Sequence, residues 1–125
     1  MDRLFVLLAS HFVGDFGFQS AWMAEFKAKD MIVAGANGTA AIVVTRWYEV
    51  LSYHVFVYVS TMLLFMRLLG YHPTPQGIVA DATTHFVIDR LKGRDFLGVR
   101  VIPSVWLDQM CHLTVRVILW RIGWL

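Results

Sequence analysis

Three segments of the sequence place a histidine and an aspartate four residues apart within otherwise apolar stretches. These segments are HFVGD, HFVID and, in reverse order, DQMCH, which contain the pairs His11/Asp15, His85/Asp89 and Asp108/His112. Positions i and i+4 lie on one face of a helix about one turn apart, so both members of a pair point toward the same place. Because polar and charged groups are costly to bury without partners, helices with such pairs are expected to turn them toward one another.

The pairs are more frequent than chance predicts. Asp occupies 7 of the 125 positions and five His offer ten positions four residues away, so about 0.56 pairs are expected. Four occur when Asp81 and His85 are counted as well. The excess favours a shared site.

The composition indicates a membrane protein. Hydrophobic residues make up 58% of the chain and charged residues 16%, and the mean hydropathy is +0.58. A soluble domain is typically about half apolar and about a quarter charged. The alternative is an apolar soluble bundle that hides its surface in an oligomer.

The net charge of +2 gives no support to nucleic-acid binding, and a single cysteine, Cys111, excludes an internal disulfide.

The apolar segments predict an all-α fold, a four-helix transmembrane bundle that forms one domain over residues 1–125. The predicted spans are residues 3–24, 47–69, 76–92 and 103–124, the last opened by Pro103. The first is predicted to be a retained span rather than a cleaved leader, because no small-x-small cleavage site follows it.

Between the first two spans, Asn37-Gly38 is a turn signal that would suit a β-hairpin. An open hairpin leaves unpaired backbone groups near lipid, which is costly. We therefore predict a short interfacial or re-entrant segment at this point. A long helix is expected to follow from about Thr39 into the second span.

The distribution of Lys and Arg predicts the orientation. Seven basic residues lie in the 19–46 and 90–102 connections, and three lie on the other side: Lys27, Lys29, Arg46, Arg90, Lys92, Arg94 and Arg100 against Arg3, Arg67 and Arg121. This asymmetry predicts a multi-pass protein of the cytoplasmic (inner) membrane with both termini outside. The polar residues of all four spans then lie at one level, near the cytoplasmic interface.

The candidate metal ligands come from all four predicted spans: His11, Asp15, His54, His85, Asp89, Asp108 and His112. A mixed His and Asp set suits Zn²⁺, Mn²⁺ or Fe²⁺ better than Ca²⁺ or Mg²⁺, which prefer oxygen ligands. Seven ligands exceed the four of a tetrahedral ion, and a dinuclear centre with a bridging carboxylate would use them. The alternative is a network of interhelical hydrogen bonds that fixes the bundle. Whether Asp81 joins the site is left open.

The first functional hypothesis is a metal-dependent hydrolase of a lipid or amphiphilic phosphoester. Asp89 would accept a proton from water, and Arg116 or Arg90 would neutralise the phosphate. One alternative is a proton or cation conductor that uses the His/Asp cluster. Another is a non-catalytic membrane module held together by that cluster. Membrane lipid, an amphiphilic substrate and further copies of the chain are the expected partners.

The ordered motifs H-x3-D, H-F-x-I-D and L-D-Q-x-x-H, together with His54 four residues before Tyr58, resemble a family of bacterial and phage membrane proteins. This family is catalogued as domain of unknown function 3307. The resemblance covers residues 4–29 and about 50–115. It implies a small integral membrane protein, with the seven candidate ligands but not Asp81 at signature positions. It implies no activity. More distantly, the chain resembles membrane-bound metal-dependent hydrolases with His/Asp motifs on helices, although it lacks their His-rich signature.

Overall fold

The computed structural model describes residues 2–35, 40–92, 95–96, 99–100 and 104–125. Within these ranges the chain is mostly helical, which confirms the all-α class at this level. The elements in chain order are helix α1 (Arg3–Phe12), a π-helical turn π1 (Val13–Gly17), α2 (Ala21–Phe26), strands β1 (Met31–Val33) and β2 (Ile42–Thr45), α3 (Trp47–Leu68), α4 (Pro75–Lys92), β3 (Asp95–Phe96), β4 (Val99–Arg100) and α5 (Val105–Arg121).

Short polar side chains begin three of the helices. Asp2 accepts a hydrogen bond from the Leu4 amide at the start of α1, Ser20 accepts one from Met23 in α2, and Ser104 accepts one from Leu107 in α5. Such caps satisfy amide groups that have no partner within the helix. The sequence therefore determines where these helices begin.

Residues 3–24 do not form the single continuous helix that was predicted. The α-helix ends at Phe12, π1 follows, and a new helix begins at Ala21 after the Ser20 cap. Gly14 and Gly17 weaken an α-helix at this point, and Gly14 allows close packing. A Cβ on Gly14 would lie 3.3 Å from the Cα of Tyr58 in α3.

The prediction of a long helix from about Thr39 is wrong, and the hairpin that we set aside is present. β1 and β2 pair antiparallel, with Ile32 opposite Val43, because the β-branched run from Ile42 to Thr45 favours a strand. Asp30 then accepts a hydrogen bond from the Trp47 amide, at 2.9 Å, and fixes the start of α3. Asn37, Gly38 and Thr39 lie outside the described residues.

A second short hairpin, β3 with β4, was not predicted. Gly93, Arg94 and Pro103, which we used to place the end of the third span, the basic connection and the start of the fourth, lie outside the described residues.

Among the described residues, α3 alone is long and apolar enough to cross a membrane by length and composition. The structure therefore does not establish the predicted four-span bundle. α1 has 10 residues, and α4 carries four charged residues, Asp81, Asp89, Arg90 and Lys92. The short length of α1 and the charged residues of α4 keep these helices from qualifying as spans.

The four longer helices form a closed bundle whose interior has two parts. α1 and α4 each pack against α3 and α5. One end of the interior is apolar and contains Val6, Leu7, Met62, Met66, Leu119 and Leu125. The other end is filled by the His/Asp pairs of the sequence motifs, and the turn π1 brings Asp15 into it.

The segment after α5 is fixed to the start of α4 by close backbone packing. The carbonyl oxygen of Trp124 accepts hydrogen bonds from the amide and the hydroxyl of Thr74, both at 2.9 Å. Gly77 lies against this carbonyl, and a Cβ at that position would overlap it. Leu125 is fully buried in the apolar part of the interior.

We expect Gly77→Ala to lower the free energy of unfolding by about 1–3 kcal/mol, because the added methyl group has to displace the Trp124 carbonyl. Gly17→Ala is the matched control, since its Cβ would meet nothing closer than 3.7 Å. Urea or thermal unfolding measures both variants. Equal stability of Gly77→Ala and Gly17→Ala would contradict this packing.

Candidate metal centre

Four buried side chains from three elements meet at one point. Asp15 comes from π1, His54 from α3, and His85 and Asp89 from successive turns of α4; we call this set the four-ligand group. Each of these residues is at most 3% exposed. The predicted i, i+4 spacing accounts for the two ligands on α4, and the fold supplies the other two.

The separations within the four-ligand group are those of ligands around one small ion. His54 Nε2 lies 3.1 Å from His85 Nε2, 3.1 Å from Asp15 Oδ1 and 3.2 Å from Asp89 Oδ2. His85 Nε2 lies 3.8 Å from the same Asp15 oxygen and 3.5 Å from the same Asp89 oxygen. Bonds of about 2.0–2.1 Å in a tetrahedron place ligand atoms roughly 3.3 Å apart.

A second set, the three-ligand group, consists of Asp89, Asp108 and His112. His112 Nε2 lies 3.6 Å from Asp89 Oδ1 and 3.4 Å from Asp108 Oδ1. Asp89 therefore belongs to both groups and faces each with a different oxygen. This is the geometry of a carboxylate that bridges two ions.

Several of these atoms have no well-aligned hydrogen bond within the described part of the chain, namely Asp15 Oδ1, Asp89 Oδ1, Asp108 Oδ1 and His112 Nε2. A buried polar atom without a partner costs about 1–3 kcal/mol, and more when it is charged. The unpaired atoms point into the two groups. The arrangement therefore has the coordination capacity that a cation would use.

Two lysines lie beside the carboxylates. Lys27 Nζ is 2.9 Å from Asp89 Oδ2, and its side chain is only 8% exposed. Lys92 Nζ is paired with Asp108 Oδ2. With neutral histidines, the three carboxylates and two ammonium groups carry one net negative charge. One divalent ion would change the net charge of the site to +1, and two ions would change it to +3.

His11 lies beside the two groups but belongs to neither. Its Nε2 is 2.8 Å from Gln109 Oε1, and its Nδ1 is 3.1 Å from the Tyr58 hydroxyl. Gln109 also donates to Asp15 Oδ2, at 2.6 Å. Since both ring nitrogens already have partners, His11 orients Gln109 and, through it, Asp15. Its role as a metal ligand stays a prediction.

Arg116 and Asp81 form a separate buried pair. The guanidinium Nε and Nη2 donate to the two Asp81 oxygens, at 3.2 and 3.0 Å. Nη1 donates to the Leu7 carbonyl oxygen and to Ser10 Oγ. Asp81 therefore lies outside both groups, and protein acceptors occupy the donor atoms of Arg116. The catalytic role of Arg116 stays a prediction.

Sequence reasoning missed two residues of the site. Gln109 follows Asp108 directly in the DQMCH motif, so an amide beside a ligand was a usable signal. Lys27 was interpreted as an orientation signal. Nothing in the sequence relates it to Asp89, which lies 62 residues away.

Comparison with known proteins identifies the family. A family model described as a protein of unknown function, DUF3307, matches residues 3–125, so the chain belongs to this family. This confirms the resemblance found in the motifs. No curated protein matches the chain, and no solved structure matches it.

The Arg116–Asp81 pair should behave as a coupled structural unit. We expect Asp81→Ala and Arg116→Met each to lower the free energy of unfolding by about 3–5 kcal/mol, because each leaves a buried charge unpaired. The double variant should lose less than the sum of the two. A double-mutant cycle by chemical unfolding measures this coupling. Additive effects would show that the two side chains stabilise the bundle independently.

Proposed function

We propose that this protein is an integral membrane hydrolase that uses two divalent transition-metal ions to cleave a lipid or amphiphilic phosphoester. The observation that carries the proposal is Asp89, whose two oxygens face two adjacent sets of buried ligands. Two adjacent ions that share one carboxylate are typical of centres that activate water and hold a phosphoryl group.

The donor atoms support a transition metal. Each group combines imidazole nitrogen with carboxylate oxygen, a set that suits Zn²⁺, Mn²⁺ or Fe²⁺. Ca²⁺ would need six to eight oxygen ligands. We therefore propose Zn²⁺, Mn²⁺ or Fe²⁺ as the bound metal.

The distribution of polarity supports a membrane environment. Among the described residues, thirteen polar or charged side chains are buried against eleven apolar ones. The surface carries large apolar side chains on every longer helix, such as Phe5, Phe56, Val79 and Ile118. In water this surface would favour aggregation. In lipid the same surface would contact apolar hydrocarbon chains. A helix that turns charged residues toward the interior of the bundle is less apolar in composition than a helix surrounded by lipid, so it is harder to recognise as a membrane span.

The proposed chemistry assigns roles to residues of the site. Bound ions would activate a water molecule and polarise the phosphoryl oxygens. The water oxygen would bond to phosphorus, the ester P–O bond would break, and the proton that a carboxylate takes from the water would pass to the leaving alkoxide. Asp89 was predicted as that carboxylate, but with both oxygens facing ligand groups a bridging role suits it better.

Substrate charge follows from the charge of the site. With two ions and both lysines the site carries an excess of three positive charges, which an anionic phosphoester offsets. The Lys27 ammonium lies beside Asp89 Oδ2 and is the cation best placed to contact a phosphate oxygen. It replaces Arg116 in this part of the proposal, because the donors of Arg116 have protein partners.

The alternatives differ in their support. A conductor needs a polar track across the bundle, whereas beyond the Arg116–Asp81 pair the described interior is apolar around Met62, Met66 and Leu119. A non-catalytic module finds support in Lys27 and Lys92, which neutralise two carboxylates without an ion. The metal content of the purified protein separates this module from the hydrolase.

We expect wild-type protein, purified in detergent without chelator, to contain about two equivalents of Zn, Mn or Fe by inductively coupled plasma mass spectrometry. Asp89→Ala should lose both ions because Asp89 serves both groups, whereas His112→Ala should lose about half of the metal. His72→Ala is the control, since His72 lies against Arg67 outside the site. A folded, metal-free wild type would refute the hydrolase and support the module.

Lys27→Met should raise the affinity for divalent ions by about tenfold or more, because it removes a positive charge beside a ligand oxygen. Lys29→Met changes the net charge equally, but Lys29 pairs with Glu25 at the surface and is 60% exposed. Competition with a chromophoric chelator measures both affinities. If both variants bind metal like wild type, Lys27 does not share the site with the ions.

A further inference from the structure

We propose that a cleft beside the metal centre binds one hydrocarbon chain of the substrate, an inference that rests on the proposed function. The cleft lies between π1, with the end of α1, and the start of α5, and encloses about 440 Å³. Its apolar walls consist of Phe12, Phe16, Val105, Trp106, Met110 and Leu113. Volumes of about 300–1,000 Å³ are typical of small-ligand sites.

One side chain connects the cleft with the centre. Gln109 is the polar residue of the lining, and it donates to Asp15 Oδ2, at 2.6 Å. A chain in the cleft would therefore end about one side chain away from the four-ligand group. The head of an amphiphile would lie on the Gln109 side of the cleft while its tail remains among apolar groups.

The turn π1 builds the cleft and the centre together. Asp15 in its middle faces the four-ligand group. Phe16, the next residue, faces the cleft and stacks on Phe12 with ring centroids 6.1 Å apart. Irregular turns of this kind are frequent at functional sites. A change in the backbone path of π1 would move a ligand and a cleft wall at the same time.

The chemistry of the lining selects the occupant. The described lining offers no charged side chain for a peptide or a free anion. Apolar and aromatic walls favour a hydrocarbon chain, which gains free energy in proportion to the buried apolar area. Trp106 at the rim is 83% exposed, so the cleft opens at the surface that faces lipid in the proposed membrane location. A tail can enter there directly from the bilayer.

The test measures binding of hexadecyl phosphate by native mass spectrometry of detergent-released protein. Leu113→Trp fills the cleft, whereas Ile118→Trp adds the same side chain to an exposed position of α5 outside it. We expect one bound hexadecyl phosphate in wild type and Ile118→Trp, and an affinity about tenfold lower in Leu113→Trp. Butyl phosphate, with the same head, should not distinguish the variants.

A second variant keeps the test decisive if Leu113→Trp fails to fold. Trp106→Ala removes a wall at the exposed rim and should weaken hexadecyl phosphate binding about fivefold. Equal affinity of Leu113→Trp and Ile118→Trp, or wild-type affinity of Trp106→Ala, would overturn the cleft. Binding of several hexadecyl phosphate molecules, unchanged in all variants, would also overturn it.

Metal measurements on the same samples separate the two proposals. In Asp89→Ala the effect of Leu113→Trp on the hexadecyl chain should persist, because the tail contacts do not need the ions. A wild-type protein that is metal-free, but whose chain binding depends on the cleft, would support this inference and refute the hydrolase. If the protein is loaded with metal but all cleft variants bind hexadecyl phosphate alike, the hydrolase is supported and the cleft is refuted.

Discussion

The burial of Asp89 is the constraint on which the rest of the structure depends. A carboxylate inside an apolar bundle is stable only with partners around both oxygens. Asp89 Oδ2 faces Lys27 and His54, and Oδ1 faces His112. These partners come from the segment after α2, from α3 and from α5. One side chain thereby fixes how four parts of the chain meet.

The bundle separates two uses of buried charge. Arg116 and Asp81 satisfy each other with two direct hydrogen bonds, and Leu7 and Ser10 accept from the remaining donor. Such a closed pair stabilises helix positions but has little capacity for a ligand. The groups around Asp89 instead keep carboxylate oxygens that have no well-aligned hydrogen bond. The first arrangement suits a structural role, and the second suits binding.

The sequence was sufficient for features with a local cause. Pairs four residues apart on one helix, such as His85 with Asp89, share a face whatever the fold is, and the helical class followed from the apolar segments. Features that depend on contacts between distant segments were not accessible. The turn π1 depends on Gly14 packing against Tyr58, and the position of Lys27 depends on α2 packing against α3. The hairpin was rejected because lipid was assumed to surround it.

The turn π1 also makes the site sensitive to chain length. Successive residues of an α-helix are rotated by about 100° around its axis, so a regular helix one residue shorter would turn position 15 away from His54. The ligands on α3 and α4 would keep their places, because no part of their helices is involved. Deletion of Val13 or Gly14 would thus remove Asp15 from the four-ligand group and leave the three ligands on α3 and α4. The number of candidate ligands that meet in this fold therefore depends on the helical phase of π1.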